Sequence, residues 1–248
     1  MDRMLYVAMT GARELMIAQA AISNNLANVS TPGFKADFAQ QRAMPLFGEG
    51  YDSRVFAMTE RPATDFAQGP LQTTGRELDL AISGDGWMAV QAPDGSEAYT
   101  RAGDLRLSPL GLLVTGAGHP VIGDGGPITV PPAEKIEIGN DGTISLRPLG
   151  QSAEALVVLD RIKLVRPDVT SLEKGEDGLI RIKDGGGPAE ADAQVRLVSG
   201  TLEHSNVNMV DALVDMIDNA RRYELQVKLM RTSEEDDAAA SQLLRLEG

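Results

Sequence analysis

The stretch LYVAMTGARELMIAQAAISNNLANV, residues 5–29, repeats its apolar positions at the spacing of a packed helix. Leu5, Ala12, Gln19 and Leu26 recur every seven residues, and so do Ala8, Leu15, Ile22 and Val29. Two such rows, three or four residues apart, make one seam along an α-helix, with Gln19 the single polar intrusion. Ala8, Ala12, Ala18, Ala20 and Ala21 are small enough to let a neighbouring helix come close. Gly11 costs a helix about 1 kcal/mol relative to alanine, so its presence points to close packing. Ser30-Thr31-Pro32-Gly33 ends the helix, because proline disfavours helical backbone in the residue before it. A helix over the first ~28 residues would be about 40 Å long.

The other end of the chain predicts a second, longer helix over the last ~40 residues. Asn208 is a good N-cap, and Asp211 three residues later resembles a capping box. Met209, Met216, Tyr223 and Met230 recur every seven residues, with Leu213, Ala220 and Val227 as the companion row. Asp211, Asp215 and Asp218 lie early, where the helix dipole favours anions. Glu234-Glu235-Asp236-Asp237 then interrupts the seam before Leu243, Leu244 and Leu246 resume it. Four such acids read most simply as a solvated face, and more sharply as a gap in the seam or a salt bridge to another subunit.

Between the helices the pattern changes to strand and turn. Leu105-Arg106-Leu107, Lys135-Ile136-Glu137-Ile138, Leu179-Ile180-Arg181-Ile182 and Gln194-Val195-Arg196-Leu197-Val198 alternate with period two. Asp-Gly pairs at 85–86, 94–95, 124–125, 141–142, 177–178 and 184–185 supply the backbone that tight hairpins need. Phe34 to Gly75 is less regular, with Pro45, Gly48, Gly50 and Pro62, and suits an extended connector or loose hairpin. The predicted class is α+β: two terminal helices paired as a coiled coil, and a central all-β domain. The expected divisions are an N-terminal helix over 1–33, a connector over 34–76, the β domain over 77–187, a return strand over 188–205 and the C-terminal helix over 206–248.

Composition narrows the function. The formal charge of −13 argues against nucleic acid, whose phosphates need a basic surface, and against anionic lipid. No apolar run approaches the roughly 20 residues of a membrane span, so no direct membrane insertion is expected. There is no cysteine, which excludes disulfides and thiolate metal sites. His119 and His204 are the only histidines, and no ligand spacing supports a metal with them. The Asp-Gly turns lack the closing Glu of a calcium loop, and no phosphate-binding or nucleophile-elbow string appears. Catalytic residues, metal and cofactor are therefore expected to be absent. The N-terminus has no apolar segment followed by a cleavage site, so no cleaved signal peptide is expected.

Specific strings sharpen this. Met9-Thr10-Gly11 and the run from Ile22 to Lys35, with Asn24, Asn25, Leu26, Ala27, Asn28, Thr31, Pro32, Gly33 and Phe34, closely resemble the N-terminal signature of flagellar axial proteins of rod and hook. Gly200 to Asn208, with Glu203, Ser205, Asn206, Val207 and Asn208, is similar to the matching signature before their terminal helix, and Arg221-Arg222-Tyr223-Glu224 lies within it. Leu78 to Trp87 and Ala98 to Gly103 resemble rod strand-domain motifs. Within the family, Met1 to Gly11 looks most like a proximal-rod subunit, with the distal rod as the alternative. The resemblance implies a structural subunit of the flagellar basal-body rod, assembled helically into the shaft needed for motility. It implies copies of itself, other rod proteins and the flagellar type III export apparatus as partners. It also implies a location in the rod spanning the periplasm, reached by export in an unfolded state.

Two other classes remain open on the residues: a secreted β-domain adhesin with a helical stalk, and a carbohydrate-active enzyme using paired carboxylates. The terminal seams and signatures are unnecessary for either. Asn24, Asn25 and Asn28 read as caps and turn formers, or as amides bonded to backbone or to neighbouring subunits at the helix-to-connector bend.

Overall fold

The computed structural model describes residues 4–38, 41–45, 55–59, 63–148, 150, 156–183 and 186–246, with backbone alone at residues 4, 41–45, 55–59, 240 and 243–246. Met1, Asp2, Arg3, Gly48, Gly50, Pro62 and the turn pair Asp184-Gly185 lie outside these residues. The fold is α+β, with a helix near each end of the chain and a mostly β middle.

The chain forms two compact units. The first contains residues 1–28, 36–65 and 207–248. Helix α1 (Met4–Ala27) and helix α2 (Met209–Leu246) pack against each other within it. The irregular stretch after the first helix contributes the antiparallel hairpin Gln41–Pro45 with Val55–Thr59, which also touches α1, and a short pair, Asp37–Phe38 with Ala63–Thr64. Ala8, Ala12, Leu15 and Ala18 of α1 are buried, whereas Leu5, Tyr6, Met9, Met16 and Ile17 are exposed. A methyl group at Gly11 would come within 3.3 Å of the Gln226 amide, which fits the close approach its presence suggested.

The second unit contains residues 29–35 and 66–206. Its largest sheet has five antiparallel strands in the order Leu164–Val165, Trp87–Gln91, Glu97–Thr100, Ile180–Ile182, Leu172–Lys174. A three-stranded sheet is formed by Ala133–Ile138, Thr143–Pro148 and Val157–Arg161. Two further pairs matter for the site: Leu80–Ser83 with Arg196–Ser199, and Leu71–Thr73 with Thr201–Glu203. The strand Trp87–Gln91 is covered on both faces. Met88 and Val90 enter a core with Leu105, Leu113, Val121, Ile144 and Ile162, while Trp87 and Ala89 pack on the other side with Tyr99, Val165 and Ile180. That double burial explains why this strand reads as a continuous apolar run rather than an alternating one.

The turn chemistry holds in three hairpins, where Gly95, Gly142 and Gly178 adopt φ of 83°, 86° and 78°. At Asp124-Gly125 the positive φ falls one residue later, on Gly126.

Candidate functional site

Three segments far apart in the chain meet inside the strand unit around Glu203, which is wholly buried. Glu203 ends the strand Thr201–Glu203, whose pairing with Leu71–Thr73 holds it in place. Its Oε1 accepts hydrogen bonds from Lys35 Nζ at 2.6 Å and from the Gly69 N–H at 3.0 Å. Its Oε2 accepts from Arg101 Nη1 at 3.0 Å. Both cations are almost fully buried, their side chains 1% and 4% exposed.

Two cations against one carboxylate leave a positive charge, and backbone carbonyls absorb it. Lys35 Nζ also donates to Ala67 O at 2.7 Å, while Arg101 donates through Nε to Gly86 O at 3.0 Å and through Nη2 to Gly84 O at 2.8 Å. The Arg101 guanidinium lies 5.1 Å from the Trp87 ring centroid and the Lys35 ammonium 6.0 Å. Aromatic faces attract cations at such distances. Phe66 meets the same indole edge to face at 5.7 Å. A desolvated ion cluster hydrogen-bonded in this way holds its segments firmly, and removal of one partner strands a buried charge.

The backbone around the cluster is equally tight. Gly33 has φ +67°, and a Cβ there would come within 2.3 Å of the Arg101–Ala102 peptide. Only glycine tolerates both conditions, so the Thr31-Pro32-Gly33 string has a steric cause. Gly33 N donates to Glu203 O at 2.8 Å, and Asn206 N donates to Phe34 O at 3.4 Å. Residues 33–34 and 203–206, the two strings that adjoin the helical segments, are therefore joined side by side within the strand unit. The arrangement holds chain segments together.

In the helical unit the motif residues have local roles. Asn25 is buried; its Nδ2 donates to Asp37 O at 2.8 Å and its Oδ1 accepts from Asp37 N at 2.9 Å. Asn28 Nδ2 donates to Asn24 O at 3.0 Å, closing the end of α1. Asn208 Oδ1 accepts from Val210 N at 3.0 Å, the geometry of an N-cap. Asp211 accepts from the Asn208 side chain at 2.7 Å rather than from its backbone, so the reciprocal half of a capping box is replaced by a side-chain contact.

Of the seam positions, Ala8, Ala12 and Leu15 are buried and Ile22, Leu26, Val29, Met216 and Met230 are half-buried, while Leu5, Met209, Leu213, Ala220, Tyr223 and Val227 are exposed. The less exposed positions of α2 are Ala212, Met216, Asn219, Gln226, Met230 and Ser233, and Gln226 lies beside Gly11. Local sequence does not mark Lys35 and Arg101 as site residues, because a charged side chain is assigned to the surface by default. The detectable signal was their position inside glycine-rich strings.

Comparison with known proteins places these features. Residues 5–35 match a family described as flagella basal body rod protein, residues 81–146 the flagellar hook protein FlgE/F/G D1 domain, and residues 198–243 the flagellar basal body rod FlgEFG protein C-terminal domain. The flagellar basal-body rod protein FlgF of Salmonella typhimurium is 42% identical over 251 residues, covering 99% of this chain and all of the relative. FlgF of Escherichia coli is 41% identical with the same coverage.

The chain belongs to the flagellar basal-body rod family.

A FlgG rod protein of Buchnera aphidicola is 33% identical over 261 residues, covering 96% of this chain and 98% of the relative, so the resemblance to FlgF is the stronger of these. As an FlgF-like rod protein, the chain is a structural subunit of the rod in the flagellar basal body. Each of the three matched regions supplies one charge to the buried cluster: Lys35, Arg101 and Glu203.

Proposed function

We propose that this rod subunit assembles helically by covering the apolar faces of its two terminal helices with copies of itself and with other rod proteins. The exposed Tyr6, Met9, Met16 and Ile17 on α1, and Val210, Leu213, Val214, Ile217 and Leu225 on α2, carry this reading. Burial is worth roughly 25 cal/mol per Å², so several such side chains per copy favour association over solvation, less the entropy of ordering. A surface repeated by an operator that does not close generates a tube or filament. The two helices act in this reading as a coiled coil whose seam includes Leu5, Ala8, Ala12, Leu15, Ile22, Leu26, Val29, Met209, Leu213, Met216, Ala220, Tyr223, Val227 and Met230, with residues 77–187 carried as a β domain. The chain works without catalysis, cofactor or metal. It leaves the cytoplasm unfolded through the flagellar type III apparatus. The 42% and 41% identities to the FlgF proteins of Salmonella typhimurium and Escherichia coli, against 33% to a FlgG of Buchnera aphidicola, favour the proximal rod over the distal rod.

The test is deletion of residues 1–28 in a cell lacking the intact subunit. The expected result is loss of rods and swimming while the strand unit stays folded by circular dichroism. Swimming retained after this deletion sinks the reading.

A further inference from the structure

Helix α2 carries two charge stripes of the same spacing and opposite sign. Asp215, Asp218 and Arg222 stand at i, i+3 and i+7; Lys228, Arg231 and Glu235 repeat that spacing 13 residues later, and Arg221 is likewise followed by Glu234. All eight side chains are exposed. Although Asp218 and Arg222, and Arg231 and Glu235, have the i,i+4 spacing of helical ion pairs, none of the eight forms an ion pair with another described residue. A 13-residue step turns the helix by about 220°, so the two stripes face nearly opposite sides. Neither coincides with the stripe of less exposed residues, Ala212, Met216, Asn219, Gln226, Met230 and Ser233.

We infer that these stripes set the register between copies: parallel α2 helices of two neighbouring copies pack with a stagger of 13 residues, about 20 Å along the helix. This rests on the self-assembly proposed above and deepens it. At that stagger Asp215 meets Lys228, Asp218 meets Arg231, Arg221 meets Glu234 and Arg222 meets Glu235. Within the helix Met209–Leu246, four opposite-sign pairs stand against two like-sign pairs, Asp211 with Glu224 and Glu224 with Asp237. A slip of about one turn destroys the match. At nine residues the like-sign pairs Asp215–Glu224 and Arg222–Arg231 cancel Lys228–Asp237 and Asp236–Arg245; at 17, Asp218–Glu235 and Lys228–Arg245 outweigh Asp211–Lys228. Because the donor and acceptor stripes are different faces of one helix, the contact is head to tail and leaves a free stripe at each end of any row. The acidic run from Glu234 to Asp237 thereby gains a partner, the Arg221–Arg222 pair of the next copy. Apolar burial supplies affinity and the charges select the register.

The chain has no cysteine, so introduced thiols report cleanly. The full-length double variant Asp218→Cys, Arg231→Cys, concentrated at low ionic strength under mild oxidation, is expected to form covalent ladders of copies. Asp218→Cys with Val227→Cys, the nine-residue register, is expected to form at least tenfold less. Ladders at the second pair and not the first overturn the charge register while leaving self-assembly intact. A protein that sediments as a monomer at every concentration, with no cross-link at either pair, overturns both.

Discussion

The strand unit and the helical unit treat apolar side chains in opposite ways. Across residues 66–206, Val90, Leu105, Val121, Ile144 and Val165 are completely enclosed by their own chain. Along α2, by contrast, Val210, Val214, Ile217 and Leu225 are more than half exposed, and among the described side chains only Ala212 and Ser233 are buried. The strand unit encloses its core within one molecule. The helical unit leaves apolar side chains exposed, and the proposed assembly would cover them. Folding stability and assembly should therefore respond to different residues.

The comparison breaks most sharply at the ion cluster. Glu203→Ala leaves the buried Lys35 and Arg101 without their carboxylate, and such a loss costs about 3–5 kcal/mol. Urea denaturation followed through Trp87, the only tryptophan and a neighbour of both cations, should read that loss directly. A change below 1 kcal/mol would mean that the cluster does not hold the unit together.

A matched pair of truncations comes next. Leu105→Ala, at a fully enclosed position, is expected to cost about 2–5 kcal/mol. Ile217→Ala, 54% exposed, is expected to stay within about 0.5 kcal/mol. Their effects on rod formation should reverse in rank, with Ile217→Ala impairing assembly of a normally stable monomer. Equal destabilisation by both would erase the contrast between the units.

Smaller effects come from titration. Burial pushes the Tyr99 hydroxyl up from 10.0 to about 12, with the nearby Glu97 carboxylate adding to it. The folded state holds that proton more tightly, so the stability is intact below pH 10 and falls as pH rises from 10 toward 12. Tyr99→Phe should flatten this alkaline loss in thermal melts, at some cost of the Ala189 hydrogen bond. Smallest is Asp177, whose carboxyl is held below its usual value chiefly by the Arg181 hydrogen bonds. Its contribution is present above the unfolded carboxyl pKa and lost as pH falls through the lower folded one. Being partly solvated, the pair is worth under about 1 kcal/mol. Asp177→Asn should remove only that shallow acid dependence.

Local patterns accounted for much of the architecture. The seven-residue rows announced both helices, Asn208 marked the start of α2, and Asp-Gly pairs marked the hairpins closed by Gly95, Gly142 and Gly178. These signals were readable because helix, cap and turn depend on side chains within a few residues of each other. The connector was less legible, since its short strands pair through backbone groups and carry no strict alternation.

The sequence by itself determined the two terminal helices, the strand-rich middle and the family, all of which are written in local spacing and contiguous strings. Only the tertiary structure decided that Lys35, Arg101 and Glu203 form one buried cluster, across separations of 168 and 102 positions. It alone decided which side of α2 is shielded. The physical reason is that helix periodicity is a property of neighbours, whereas a charge tolerates burial only where distant partners and carbonyls converge to replace water.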